Sequence, residues 1–227
     1  MENFLLSFPN LQKLSGILNT PITFIDLETT GMVHERNFAI IEIGLVFITE
    51  EFVKERNYLV NPKMKIPPYI SKKTNIYDYM VKDKRDFSYF APYIQKVAKN
   101  HILCGFNSKS FDSKGMEKML QKYAIYDTFG NQLDFRSIFL RCRKHFDKIG
   151  GSNGNLTEAC KHHEIVVSNN QTHRAKYDIK ITTLLAEKLL EKYGFGIIYK
   201  DIEGFSNLDI RKRYHKYIVE NKIKILI

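Results

Sequence analysis

Residues 39–49, AIIEIGLVFIT, constrain the fold more than any other stretch of the chain. A run so rich in β-branched side chains favours the extended, pleated backbone, and it is read as the central strand. TFIDLET (23–29) precedes it, and ERNYLVNP (55–62) follows and stops at Pro62. Only short loops separate the three, which predicts an antiparallel meander.

Beyond the meander the pattern changes. Residues 62–86 hold three prolines and many lysines and are read as a long surface loop with one helical turn. In 87–100, Phe90, Ala91, Ile94, Val97 and Ala98 recur at helical spacing, with Ser88 as the candidate cap. ILCGF (102–106) reads as a short buried strand. SKGMEKMLQKYA (113–124) reads as a helix with Met116, Met119, Leu120 and Tyr123 on one face. NQLDF (131–135) reads as another strand, leading into a basic helix at 136–146. A short helix at 156–164, capped by Asn155, and a long one at 175–194, ended by Gly194, follow. A meander followed by α/β alternation predicts an α/β fold: one mixed sheet with helices on its faces. Residues 1–20 form a lead-in whose Leu11, Leu14, Ile17 and Leu18 fall on one helical face. Residues 195–227 form a C-terminal extension with a basic helix at 207–221.

The chain has 227 residues, 44% of them hydrophobic, which suits one domain (21–194) with short additions at both ends. Its formal net charge of +10 favours a polyanionic partner, nucleic acid before an acidic membrane surface. The three cysteines, Cys104, Cys142 and Cys160, are odd in number and widely spaced. That argues against a disulfide framework and for a reducing compartment. The opening MENFLLSFPNLQKLSG lacks a basic leader, and no run approaches a membrane span, so a cytoplasmic location is expected.

One strand carries an anomaly. In FIDLETTG (24–31), Asp26 and Glu28 are two residues apart and so share a face, opposite Ile25 and Leu27. Carboxylates that close raise each other's pKa unless a positive charge lies between them, and a hard divalent cation is the usual solution. A solvated strand face is the plain alternative. Further acids stand at two predicted helix starts: Asp112 ends FNSKSFD, and Asp178 follows His173 by five residues in HRAKYD. Singly, an aspartate at such a place reads as a cap or dipole partner.

Together, the order and spacing resemble a known pattern. DxE on the first strand, N…FD opening a helix and HxxxxD opening another is the signature of the DEDDh, or DnaQ-like, 3′→5′ exonucleases. IDLETTG, LVNP with IPPYISKKTNIYDYMV, and GNLTEACKHHEI extend the resemblance over about residues 22–192. GFNSKSFD has Phe106 where most of the family has His and one extra residue between Asn107 and Asp112, and so resembles the exonuclease I version, GYNxxxFD; TNI (74–76) stands where HGI is usual. In a related subclass a tyrosine lies four residues before the last aspartate; here that position is Arg174.

The resemblance implies an RNase H-like mixed sheet of five strands flanked by helices. It implies hydrolysis with two divalent cations, Mg²⁺ or Mn²⁺, held by Asp26, Glu28, Asp112 and Asp178, with His173 as general base. The backbone of Thr29, Thr30 and Gly31 would meet the terminal nucleotide, and Asn107 and Phe111 would lie near the sugar and the next base. The expected substrate is a single-stranded 3′ end, DNA before RNA, giving nucleoside 5′-monophosphates for a role such as repair or replication. An exoribonuclease of the oligoribonuclease or RNase T kind, and a non-catalytic nucleic-acid-binding module, are the alternatives. No protein partner can be named.

Overall fold

The computed structural model describes residues 7–126, 129–151, 154–167 and 174–226. In chain order its elements are α1 (Pro9–Leu18), β1 (Ile22–Thr29), β2 (Ile40–Ile48), β3 (Val53–Leu59), α2 (Pro68–Thr74), α3 (Asp78–Val81), α4 (Phe87–Asn100), β4 (Ile102–Gly105) and α5 (Asp112–Gln121). There follow β5 (Gln132–Asp134), α6 (Phe135–His145), α7 (Leu156–His162), α8 (Ala175–Tyr193), a 3₁₀ turn (Phe195–Ile198), α9 (Tyr199–Glu203) and α10 (Leu208–Glu220).

The strands form one sheet in the order β3-β2-β1-β4-β5. β1–β2 and β2–β3 pair antiparallel, which is the expected meander, and β1–β4 and β4–β5 pair parallel. β2 is buried along its whole length, as its composition requires. The sheet is therefore mixed, five-stranded and covered by helices on both faces, an RNase H-like α/β architecture.

Alternation along β1 sorts the two cores. Ile25 and Leu27 pack with Phe90 and Ile94 of α4 and Met116 of α5. Ile22 and Phe24 point to the other face, against Phe135 and Phe139 of α6 and Leu185 and Leu189 of α8. The same period carries Asp26 and Glu28 onto the α8 side.

Four details depart from the expected pattern. The segment 62–86, expected as a loop with one helical turn, holds two helices, α2 and α3. Pro67 and Pro68 preset the backbone angle for a helix start, and Asn75, left-handed at φ 55°, ends it. Ile66, Ile70, Ile76 and Val81 bury a small core there with Ile41 of β2. The cap of α4 is Asp86, whose carboxylate accepts the Ser88 N–H at 3.0 Å, so Ser88 is not the cap. Tyr123 lies past the end of α5 and is exposed, because the helix stops at Gln121 and Ala124 turns left-handed. Residues 195–205, for which the sequence predicts no element, form the 3₁₀ turn and α9.

Both chain ends join the main core. Leu11, Leu14 and Leu18 of α1 lie in the same cluster as Ile22, together with Ile198, Ile202, Ile210, Tyr214 and Ile218 from beyond residue 194. Glu187 of α8 caps α1 by accepting the N–H groups of Asn10 at 2.9 Å and Leu11 at 3.0 Å. The helix at 207–221 packs on this core through Ile210, Tyr214 and Ile218, and two of its arginines donate to main-chain carbonyls, Arg213 to Leu18 and Arg211 to Glu203. Among the described residues no helix is long and apolar enough to cross a membrane. Cys104, Cys142 and Cys160 are buried free thiols; burial pushes the last two up to about 12.

Candidate active site

Three elements converge on one cleft at the end of β1. β1 supplies Asp26 and Glu28, and the first turn of α8 supplies Asp178. One carboxylate oxygen from each of the three lies within 4.8 Å of the others. Asp112, the first residue of α5, is buried beside them, and its Oδ1 accepts the Leu27 N–H at 3.0 Å. That bond has a cause in the sheet. The parallel pairing of β1 with β4 ends at Phe24 and Cys104, so a later β1 amide on that edge needs another acceptor.

The electrostatics follow from burial and mutual repulsion. Asp26 is pushed well above the usual carboxylate range by burial first, then by Asp112, Glu28, Asp178 and Glu42. Glu28 is pushed up to about 8 by burial and by Asp178 and Glu42, with Lys73 pulling the other way. Asp112 is pushed up to about 7 by burial, offset in part by the Leu27 hydrogen bond. Left to itself, the cluster lowers its charge by holding protons. A divalent cation does the same without them, and an all-oxygen donor set suits a hard ion. The residues present therefore fit divalent metal binding.

α8 is brought to this place by two residues of β2. Gly44 lies opposite Asp26 in the ladder, and a Cβ there would stand 2.6 Å from the carbonyl oxygen of Ala175. Only a residue without a side chain lets the helix sit so low on the sheet. Glu42 lies opposite Glu28 and is fully buried. It accepts from Arg174 Nη2 at 2.7 Å and Nε at 3.1 Å, from the Ala175 N–H at 2.9 Å and from Asn57 Nδ2 at 2.9 Å. The start of α8, and with it Asp178, is thus tied to β2 from two directions.

The cleft has a volume of about 390 Å³. β1 and the loop after it line one side with Thr29, Gly31 and Met32, Phe111 lines another, and α2 contributes Tyr69, Ile70, Lys73 and Thr74. Thr30 is outside it. Its hydroxyl is bonded to the Asn37 carbonyl at 3.0 Å and accepts the Ala39 N–H at 2.9 Å, which braces the turn after β1. The space beside the Gly31 α-carbon is filled by the Glu35 carboxylate, which takes the Met32 N–H at 2.8 Å. Asn107 also lies elsewhere. Left-handed at φ 64°, with its N–H on Asp134, it lines a second cleft with Phe106, Arg136 and Leu156. His173 lies outside the described residues.

The α2 wall escapes sequence reasoning because a lysine- and proline-rich stretch looks like loop. The Pro67-Pro68 start with Ile66 and Ile70 one turn apart is the available signal. Glu42 escapes it too, although an acid in the middle of the most apolar strand is itself a signal that a buried partner waits for it.

Comparison with known proteins agrees with this geometry. Residues 23–186 match the RNase T exonuclease family, and the chain belongs to that family. The chain is 28% identical over 176 residues to the 3′-5′ exonuclease DinG of Staphylococcus haemolyticus, covering 77% of this chain and 19% of that protein. It thus spans about a fifth of the length of that curated relative. Among solved structures, Escherichia coli exonuclease I in complex with a dT13 oligonucleotide superposes with a TM-score of 0.65 at 17% identity, over 82% of this chain and 45% of that one. The nuclease domain of 3′hExo, a DEDDh family member bound to rAMP, superposes with a TM-score of 0.63 at 19% identity, over 75% and 92%.

Proposed function

We propose that this protein is a metal-dependent 3′→5′ exonuclease that shortens single-stranded DNA and releases nucleoside 5′-monophosphates. The observation that carries the reading is the approach of Asp26, Glu28 and Asp178 to within 4.8 Å in a cleft where burial drives carboxylates to hold protons. These three, with Asp112, would hold two ions, Mg²⁺ or Mn²⁺. When bound, such ions supply Lewis-acid activation of water and neutralise charge on the leaving oxygen.

The chain's own residues do the rest. Phe111 and Tyr69 offer apolar walls for the terminal base and sugar, and the loop at Thr29 and Gly31 brings main chain close to the 3′ end. Lys73 places one positive charge at the rim of an otherwise anionic cleft. His173, five residues before Asp178, is the candidate general base for the attacking water, the ordinary imidazole pKa of about 6.5 suiting that task. The preference for DNA is supported by the exonuclease I group's version of the second motif and by that protein's complex with dT13. Residues 21–194 would form the exonuclease domain, with 1–20 and 195–227 as additions.

The test is degradation of 5′-labelled DNA and RNA oligomers of equal sequence, first in chelator and then with Mg²⁺ or Mn²⁺. The expected result is a ladder that shortens from the 3′ end only with metal, faster on DNA. Faster loss of the RNA would move the substrate to RNA. No metal-dependent hydrolysis of either would overturn the exonuclease reading.

A further inference from the structure

Residues 62–85 carry seven basic and two acidic side chains, which is half of the chain's formal net charge of +10. Several arginines on other elements are engaged by the chain itself. Arg136, Arg143 and Arg213 donate to the carbonyls of Gly154, Gly151 and Leu18, and Arg141 pairs with Asp201. In 62–85, by contrast, Lys65, Lys72, Lys82 and Lys84 are exposed to solvent. Among the described residues, ion pairing engages only Lys63 of this segment, with Asp86 at 3.5 Å.

The same segment turns three aromatic rings outward: Tyr69, Tyr77 and Tyr79 are 61%, 41% and 70% exposed. Tyr77 and Tyr79 stack on each other, with ring centroids 5.9 Å apart and planes 10° from parallel. Their backbone is well anchored. Ile76 is fully buried in the α2–α3 core, and Asp78, between the two rings, accepts the Ile66 N–H at 2.9 Å. The rings are also close to the acid cleft. Thr74 lines that cleft, and three residues of extended chain reach about 11 Å at most, so Tyr77 begins within that distance of its wall.

Flat apolar faces in a field of lysines match a single nucleic-acid strand. Its phosphates meet the cations, and its unpaired bases stack on the rings with little regard to sequence. A duplex keeps its base faces covered. We propose that the Tyr77–Tyr79 pair, with Lys82 and Lys84, is a second binding site, taking the nucleotides just upstream of the one held in the acid cleft. The location of the 3′ end rests on the exonuclease reading; the binding itself is measured independently of it.

The test uses the full chain in chelator and the fluorescence anisotropy of a labelled single-stranded 12-mer, a 3-mer and the 12-mer in duplex. For Y77S/Y79S, the 12-mer Kd is expected to rise about tenfold, with the 3-mer and the duplex unchanged and the circular dichroism spectrum retained. For K82Q/K84Q, the slope of log affinity against log salt for the 12-mer is expected to flatten by about 1.4, at about 0.7 for each phosphate the two lysines neutralise. Unchanged 12-mer affinity in Y77S/Y79S overturns the site, as does equal weakening for 3-mer and 12-mer, which would place the effect in the cleft. A changed oligomeric state by light scattering, without change in nucleic-acid affinity, also overturns it and makes the patch a protein interface. Absence of metal-dependent hydrolysis by the unsubstituted chain would defeat the exonuclease reading alone and leave the anisotropy result standing.

Discussion

Glu28 and Glu42 face each other across β1 and β2, beside a shift in the register of that pairing, and their surroundings are opposite. Glu42 is fully buried and accepts four N–H groups, two of them from the Arg174 guanidinium. Glu28 has no hydrogen bond among the described residues, and burial with neighbouring acids pushes it up to about 8. The contrast extends along the chain. Glu187 and Asp134 are buried and satisfied by main-chain amides, at the start of α1 and of α6. Asp26, Glu28 and Asp178 each bring a carboxylate oxygen within 4.8 Å of the others. A carboxylate whose charge the chain compensates belongs to the architecture. A group of carboxylates whose charge it concentrates is arranged for something brought from outside.

Removing a member of each group should therefore have opposite consequences. Asp26→Ala should lower Mg²⁺-dependent hydrolysis by roughly 10³-fold or more, with the thermal midpoint of the metal-free protein unchanged or raised. Substantial Mg²⁺-dependent activity in that variant would break the assignment. Glu42→Ala should instead destabilise the fold by about 3–5 kcal/mol, because it leaves Arg174 and a buried amide without their acceptor. Denaturant titration of both variants reads the difference, and similar losses for the two would erase it.

The comparison sharpens with pH. Glu28 has a folded-state pKa of about 8, above its ordinary value of 4.5. A group raised in this way stabilises the fold fully below the lower value, and the contribution is lost as pH rises through the upper one. The metal-free protein should therefore lose stability between about pH 4.5 and pH 8. Glu28→Gln should melt at a higher temperature than the parent at pH 8, and the gap should close near pH 4.5. Added Mg²⁺ should raise the parent's midpoint at pH 8 more than the variant's. A gap that does not change with pH would show that Glu28 is compensated after all. The smallest effect belongs to a cap: Glu187→Ala should cost about 1 kcal/mol by uncovering the first amides of α1, with hydrolysis per folded molecule unchanged.

What could be read from the sequence divides along similar lines. The β1 acids, the antiparallel meander, Asn155 as a cap and the start of α8 are set by spacing within a few residues, and they stand where spacing put them. What escaped depended on distant partners. Residues 68–81 fold as two helices because Ile70, Ile76 and Val81 find Ile41, twenty-nine or more residues back. Asn107 sits beside Arg136 because Asp134, on a different strand, takes its amide.

Gly44 gives the arrangement a tolerance. The helix bearing Asp178 rests on a strand position where the clearance for a single methyl group is already used up. The separation of the acids is therefore set by contact between two surfaces, in the way a spacer sets the gap between machine parts. A change at residue 44 would shim α8 away from the sheet and widen that gap, altering a distance between charges without touching any of the charged groups.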